Sequence, residues 1–422
     1  MKRLFALAVV VSIQSAVVAQ TGVPAPAPTP AAAPEAKPAD VRAMLDKAIA
    51  YLKSQQDEKT GGWAINPKGP SFPAITGLVV RGACMDGAAR RDEEFVQRGI
   101  AYILNSQQPD GGIYDQILPS YNTSICLSAL AKAKPTPKVT AAIAKAQQFL
   151  KGIQFGEGAV QGVGGGDAGQ RVGKDSPWYG GFGYGRHGRP DLSNTAMVLE
   201  GLHDSGVPSD DPAFQRALVF LQRVQMVEEK DGLKINGMPY AKGTVNGGFI
   251  YSTGKSKDEP ATGDTEVVAN GGMAEETLSD GTVASRLQTY GSMTYSGFKS
   301  YVYAGLSKDD PRVKAAMGWI SRNYSLTENP GIGSDGMYYY YLVFGRAMRA
   351  YGEPVIVSTA KDGSTREHNW AKELIAQLAT LQNEDGSFRV SKDGARWMED
   401  NPVLITAYSV VALECAREQL GE

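Results

Sequence analysis

Residues 102–113 read Y-I-L-N-S-Q-Q-P-D-G-G-I, and this stretch decides the fold. Its first half has the pattern of the end of an amphipathic helix, Gln107 stands at the exit, and a Gly-Gly-Ile turn follows. Paired glycines permit positive φ angles, so the apolar residue after them can fold back onto the helix end. Similar stretches recur along the chain, and the sequence therefore predicts a repeat protein built from helical hairpins.

The first helix of each repeat carries a small residue, then an aromatic residue three positions later, then Leu or Ile. Apolar residues around this motif follow the three-four spacing of a single buried helix face, which suits an outer ring. Five copies and a degenerate sixth place the aromatic position at Tyr51, Tyr102, Phe149, Phe220, Trp319 and Gln377. Five residues later, all copies except the fifth have glutamine, at Gln56, Gln107, Gln154, Gln225 and Gln382.

A second helix follows each glycine-rich turn and is richer in small residues and poorer in charge. Four of these helices share a threonine, namely Thr76, Thr123, Thr195 and Thr406, and the other two span residues 294–306 and 337–351. Small residues on two faces suit helices that are packed on both sides, as in an inner ring. Six such hairpins predict an all-α (α/α)6 toroid with two concentric rings. An open solenoid remains the alternative, because repeats alone do not prove closure.

The spacing between copies varies, which indicates insertions in the loops of a repeat array. The two main insertions are residues 156–188 and 252–288. The second has seven acidic residues and two lysines between positions 252 and 281. This composition fits a solvated loop, a lid over the cavity or a calcium site.

The chain before the repeats predicts export. Residues 1–19 combine Lys2 and Arg3 with a short apolar run and small residues before a cleavage site near Ala19, as a signal peptide does. Residues 20–40 are rich in proline and alanine and predict an extended linker. Residues 41–422 form the toroid domain, which we expect in the periplasm or outside the cell and not integral to a membrane.

Charge and cysteine content exclude several classes of protein. The net charge is −2, which offers no electrostatic attraction to nucleic acid. Cys84, Cys126 and Cys415 lie in apolar helical runs and form no disulfide framework. Cys84 and Cys415 occupy similar heights in the first and last inner helices, so either a ring-closing disulfide or two buried thiols fits the pattern.

The repeat resembles that of two known families. The Q-x-x-D-G-G-hydrophobic signature ending at Ile113 and its variant Q-N-E-D-G-S-F at residues 382–388 resemble the Gln-Trp repeats of squalene-hopene cyclases. The same repeat occurs in the β subunits of protein prenyltransferases. The resemblance covers residues 41–420 and implies a toroid whose central cavity is lined by the starts of the inner helices and by the glycine-rich loops.

The catalytic motifs of those families are missing from this sequence. Squalene-hopene cyclases use an acid in a D-x-D-D motif, and protein prenyltransferases hold zinc with Asp, Cys and His. No D-x-D-D string occurs here, and the three histidines show no ligand spacing with the three cysteines. The resemblance therefore implies the fold without its chemistry, and we expect no cofactor.

Two carboxylates at the predicted mouth are the candidate catalytic groups. Asp191 and Asp400 begin the inner helices of the third and sixth hairpins, which lie across the ring from each other. His187 and Arg189 can pair with Asp191 or tune it. Each aspartate equally fits a helix N-cap. A glycosidase would need the two carboxylates about 5–10 Å apart.

Aromatic and cationic side chains near the same mouth are the candidate ligand contacts. Aromatic rings there can stack on a sugar or stabilise a carbocation, and the same spacing also fits a plain core. The predicted ligand-binding residues are Tyr121, His187, Arg189, Tyr295, Lys299, Tyr338, Tyr341, Arg396 and Trp397.

Two classes of function remain open. The preferred one is a toroid that binds a hydrophobic or glycan ligand, or a protein partner, without catalysis. The alternative is an enzyme, either a terpenoid cyclase or isomerase with a replaced acid, or a polysaccharide hydrolase or lyase that uses carboxylates across the cavity.

Overall fold

Paired helices alternate along the chain in the computed structural model, which describes residues 40–65, 69–158, 171–185, 189–253, 271–390 and 396–422. Residues 39–422 form one compact unit. The helices are α1 (Val41–Ser54), α2 (Pro73–Met85), α3 (Ala88–Arg91), α4 (Glu94–Asn105), α5 (Pro119–Lys132), α6 (Pro137–Gly152), α7 (Leu192–Asp204), α8 (Pro212–Val224), α9 (Gly291–Tyr303), α10 (Pro311–Arg322), α11 (Met337–Tyr351), α12 (Trp370–Ala379) and α13 (Pro402–Leu420).

Six of these helices form a closed inner ring. In the order α2, α5, α7, α9, α11 and α13, each packs against the next, and α13 packs back against α2. The outer helices α1, α4, α6, α8, α10 and α12 pack on the outside of this ring. The predicted (α/α)6 toroid is confirmed, and the open solenoid is excluded because the last hairpin contacts the first.

The burial of the two sets follows their composition. In α7 every residue from Leu192 to Leu202 is buried, because the helix has neighbours on both sides and an outer helix behind it. In α8 only one face is buried, and it carries Phe214, Ala217, Phe220, Leu221 and Val224. Aspartate caps followed by proline, at Asp211-Pro212 and Asp310-Pro311, begin the outer helices α8 and α10.

The repeated glutamine joins each turn to the next hairpin. The side-chain amide of Gln107 donates to the carbonyl oxygens of Gly111 and of Ala142 in the next outer helix, each at 3.0 Å. Gln382 donates in the same way to Gly386 and, at 2.9 Å, to Met44 in α1. The last glutamine therefore closes the outer ring onto the first helix.

The repeated threonine fixes each turn to its inner helix. The hydroxyl of Thr123 accepts a hydrogen bond from the backbone N–H of Ile113 at 2.9 Å. Equivalent bonds join Thr76 to Trp63, Thr195 to Phe182, Thr294 to Phe249 and Thr406 to Phe388. Each bond satisfies a buried donor that the sharp turn leaves without a helix or sheet partner.

Within the described residues, three short antiparallel hairpins lie in the loops. The pairs are β1 (Glu229–Lys230) with β2 (Leu233–Lys234), β3 (Met273–Thr277) with β4 (Val283–Leu287), and β5 (Val355–Thr359) with β6 (Thr365–Asn369). The sequence pattern predicted none of these strands. The second hairpin lies in the 252–288 insertion, and Glu276 there accepts hydrogen bonds from the N–H groups of Val245 and Asn246. Residues 254–270 of that insertion lie outside the described residues.

The three cysteines are free and buried, so the first and last inner helices meet without a disulfide. In the part of the chain that the structure describes, none of the helices is long and apolar enough to cross a membrane.

Candidate ligand cavity

A cavity of about 250 Å³ opens at the starts of the inner helices. Its wall contains six tyrosines, two serines and four large apolar side chains. The lining residues are Leu118, Tyr121, Tyr184, Ser193, Tyr251, Tyr290, Ser292, Met293, Tyr339, Trp397, Met398 and Tyr408. Among the described residues, the lining has no charged side chain.

The cavity lies at the centre of the ring, because helices on opposite sides contribute to it. Tyr339 of α11 shares a hydrogen bond of 2.9 Å with Ser193 of α7. Tyr121 of α5 is hydrogen-bonded to Tyr408 of α13. Burial raises the pKa of Tyr121, Tyr339 and Tyr408 well above its ordinary value, so these phenols stay neutral. The wall therefore offers aromatic faces and neutral hydroxyl groups.

Asp191 caps α7 beside the cavity wall. One carboxylate oxygen accepts from the backbone N–H of Asn194 and the other from the Asn194 side chain, both at 2.8 Å. A hydrogen bond from Tyr251 connects the carboxyl to the cavity lining. Burial raises the pKa of Asp191 to about 7, although these bonds and the charge of Arg189 act in the opposite direction. The cap predicted as one possibility is present, and the same carboxyl is poised to exchange a proton near neutral pH.

Asp400 differs from Asp191 in its exposure and in its place at the helix start. Its side chain is exposed, and its neighbour Asn401 caps α13 by accepting from the N–H groups of Val403 and Leu404.

The buried acid in this loop is Glu399, which the sequence pattern did not single out as a site residue. Its carboxylate accepts from the backbone N–H of Tyr339 at 2.8 Å and so caps the start of α11 from another hairpin. Burial raises the pKa of Glu399 to about 7, although the N–H groups of Tyr339, Tyr338 and Met337 oppose the shift. Sequence offered no signal for this role, because the capped helix starts some 60 residues earlier in the chain.

The predicted ligand contacts divide between the cavity and other places. Tyr121 and Trp397 line the cavity, and the 43% exposed Trp397 lies at its mouth. Arg189 is half-buried beside Asp191. His187 and the side chain of Arg396 lie outside the described residues.

Three predicted tyrosines lie outside the cavity. Tyr338 donates to the carbonyl of Arg389 and packs against Phe388, and Tyr341 donates to the carbonyl of Leu326. Both therefore face the outer ring, and Tyr339 of the same helix lines the cavity instead. Tyr295 packs within the core against Tyr340.

Lys299 belongs to a buried charge cluster farther along the inner helices. Its ammonium pairs with Glu200, which also pairs with Arg81 and, at 3.0 Å, with Arg346. Both arginines also bind Asp204. Burial lowers the pKa of Lys299, and the surrounding cations hold the pKa of Glu200 below its ordinary value although burial opposes them.

This cluster spans the inside of the ring. Arg81 on α2 and Lys299 on α9 come from opposite sides of the ring, and both reach the same carboxylate of Glu200. Side chains from opposite sides of the ring therefore meet inside it at this level.

No family model matches the sequence, and no curated protein matches it. Among solved structures, the type II terpene cyclase MstE from Scytonema aligns over 90% of this chain and 99% of its own, with 13% identity and a TM-score of 0.49. An alpha-amylase from Clostridium perfringens aligns over 88% and 97%, with 11% identity and a TM-score of 0.48. A glycosidase aligns over 90% and 97%, with 12% identity and a TM-score of 0.47.

These likenesses are distant, and the fold assignment rests on the helix packing described above. The chain is an (α/α)6 toroid with an uncharged, tyrosine-lined pocket at one end of its lumen.

Proposed function

We propose that this toroid binds a small, uncharged ligand with an apolar body and at least one polar group. The observation that carries the proposal is the pocket wall, in which aromatic rings surround the space and neutral hydroxyl groups converge on it. Sites of this kind usually combine an apolar lining with a few placed polar groups. At about 250 Å³ the pocket is smaller than the roughly 300–1,000 Å³ typical of small-molecule sites. A short isoprenoid alcohol or a phenol therefore suits it better than a long polyprenyl chain.

The experiment titrates the purified protein with geraniol and follows tryptophan fluorescence, since Trp397 stands at the mouth. We expect a saturable change that maltotriose does not produce. Ser193→Phe fills the pocket and should abolish the change while the circular dichroism spectrum stays that of the toroid. Ser54→Phe, on the exposed end of α1, is the matched control and should respond as the parent protein does. A response to geraniol that survives Ser193→Phe would contradict binding in this pocket.

A second candidate function is acid catalysis on an alkene. The observation that favours it is the Asp191 carboxyl, whose pKa is raised to about 7 and which is hydrogen-bonded to Tyr251 in the wall. Tyr251 also lies 3.2 Å, oxygen to oxygen, from Tyr184 at the mouth. In such a reaction Tyr251 passes its proton to an alkene carbon, Asp191 replaces that proton, and the resulting cation later loses a proton to restore the acid.

Product analysis separates catalysis from binding. After incubation with geraniol, gas chromatography with mass detection should find a cyclised or isomerised product with the parent protein and none with Asp191→Asn. If the parent protein binds geraniol and returns it unchanged, binding alone stands.

We further infer that the toroid works outside the cytoplasm, because the first 19 residues have the pattern of a signal peptide and residues 20–40 that of a spacer. N-terminal sequencing of the protein from its native source should begin near Gln20. An intact start at Met1 would contradict export.

A further inference from the structure

A serine, a histidine and a glutamate stand in line outside the ring, on the hairpin β5–β6 and the start of α12. The Oγ of Ser358 lies 2.8 Å from Nε2 of His368. Nδ1 of the same imidazole lies 3.0 Å from each carboxylate oxygen of Glu373. This is the spatial order nucleophile, base and orienting acid.

The local sequence places these three groups on one face. In the hairpin register, His368 pairs with Ile356 and Arg366 pairs with Ser358, so Ser358 is the diagonal neighbour of His368 on the same face. Asn369 caps α12 directly after β6, which brings Glu373 in the first turn back to the imidazole. Short-range backbone geometry therefore builds the arrangement.

The hydrogen bonds also select the tautomer of His368. A carboxylate oxygen can only accept, so Nδ1 carries the proton and the lone pair of Nε2 faces the serine hydroxyl. Tyr324 stacks on the imidazole at a centroid distance of 4.0 Å and donates to Glu373 at 2.9 Å. The base is thus held in position from two sides.

An exposed cation lies across the hairpin from the serine. Arg366 lies directly across the hairpin from Ser358, is exposed, and forms no ion pair with any described residue. Ser358 itself is only half-buried. An acyl group can therefore approach the hydroxyl from solvent, and Arg366, on the same face of the hairpin, is the cation available to stabilise an oxyanion.

We propose that Ser358, His368 and Glu373 form a nucleophilic site for acyl transfer from small carboxylic esters, separate from the ligand pocket. The Oγ of Ser358 bonds to the ester carbonyl carbon while its proton passes to Nε2 of His368. The bond from that carbon to the alcohol oxygen breaks, and His368 returns the proton to the leaving alkoxide. Water then attacks the acyl-serine by the same route and restores the free hydroxyl. Ser358 and His368 are the catalytic residues, and Glu373 is a positioning residue.

Covalent labelling tests the nucleophile. A fluorophosphonate probe should add one adduct to the full chain, mapped to Ser358 by peptide mass spectrometry. Ser358→Ala should take no label, and His368→Gln should label at least 100-fold more slowly, within the range for loss of a general base. Ser321→Ala is the control, because this hydroxyl bonds to the backbone oxygen of Val357 on the same hairpin. It should label as the parent protein does. No adduct on Ser358 in the parent protein overturns the proposal and leaves the three residues as a clamp for the hairpin.

Hydrolysis of p-nitrophenyl acetate tests the positioning role. Glu373→Gln should lower kcat at least tenfold with KM unchanged, and Glu373→Asp should recover part of the loss. A clamp alone predicts a lower melting temperature in these variants and no turnover by the parent protein, and that result would count against the site.

Discussion

At the residue scale, the structure decides between neighbours that the sequence leaves equivalent. Glu399 and Asp400 are adjacent acids, yet the first is buried against another helix and the second faces solvent. Tyr338 and Tyr339 are adjacent rings on α11, and only Tyr339 reaches the pocket. A rotation of one residue moves a side chain by about 100° around a helix, since an α-helix has 3.6 residues per turn. A helix that is buried on all sides has no amphipathic pattern, so the sequence does not predict which of its side chains face the lumen.

Glu200→Gln should destabilise the toroid strongly, because it leaves Lys299 and two arginines with Asp204 as the only carboxylate of the cluster. Loss of one partner of a buried ion pair costs about 3–5 kcal/mol. Urea denaturation followed by circular dichroism measures the loss.

The control for that variant is Glu353→Gln, which removes the exposed partner of Lys308. An exposed ion pair contributes about 0–1 kcal/mol, so the urea midpoint of this variant should hardly differ from that of the parent protein. Equal effects of the two substitutions would contradict a closed, buried cluster.

Asp191→Asn should flatten part of the pH dependence of stability. The pKa of Asp191 is raised to about 7 in the folded state, so the folded protein holds this proton more tightly than the unfolded chain. The stability that the protonated Asp191 carboxyl contributes is therefore fully present below the unfolded pKa of about 3.9 and is lost as pH rises through 7. Glu399 and Glu414 shift in the same direction and keep the rest of the slope.

The amide should keep the cap, because asparagine is also a good N-cap and a flip of Asn194 lets its free side-chain oxygen accept from the new amide. We expect the parent protein to lose roughly 1–4 kcal/mol more than the variant between pH 5 and 8. Urea midpoints across that range give the comparison, and parallel curves would show that Asp191 is ionised throughout.

At the element scale, each hairpin is specified by its own turn. The glycine pair permits the bend, and in five of the six copies a threonine on the inner helix satisfies the donor that the bend exposes. At Gly111, φ is +93° and an added Cβ would lie 2.7 Å from the carbonyl oxygen of Lys145, so both the bend and the close approach require glycine. These features repeat in the sequence, which is why the hairpins could be predicted without a structure.

Thr123→Val should destabilise the second hairpin with little change in shape. The variant keeps the branched side chain but leaves the buried N–H of Ile113 without its acceptor, at a cost of about 1–3 kcal/mol. Thr140→Val, on the exposed face of α6, is the matched control and should lie within about 0.5 kcal/mol of the parent protein. The urea midpoints of the two variants and the parent protein give the comparison, and equal midpoints for the two variants would contradict the role of the Thr123 hydroxyl.

At the scale of the whole molecule, closure distinguishes a toroid from a solenoid. Gln382 reaches α1 with the same bond pattern that Gln107 and Gln154 use toward their next neighbours. The same glutamine contact therefore joins each hairpin to the next and also joins the last hairpin to the first. We call this last contact the seam. The starts of the inner helices then line the pocket, and the buried charge cluster around Glu200 lies farther along the same helices.

Gln382→Met should weaken the seam selectively. The variant removes the donors to Gly386 and Met44 and should raise hydrogen exchange in α1 more than in α6. Gln154→Met, inside the ring, is the counterpart and should raise exchange around α8 rather than α1, since its partner there is Ala213. Similar exchange of α1 in both variants would argue against a seam held by this contact.

The sequence by itself determined the repeat, the order of outer and inner helices and the turn chemistry, because these depend on residues within one hairpin. It also located the pocket at the starts of the inner helices, and Tyr121 and Trp397 line it. Only the tertiary structure decided which tyrosine of α11 faces the lumen, that Glu399 is buried, and that Lys299 belongs to a buried charge cluster. Those outcomes depend on contacts between hairpins far apart in the chain, where burial and neighbouring charge set the role of a side chain and its own neighbours in sequence do not.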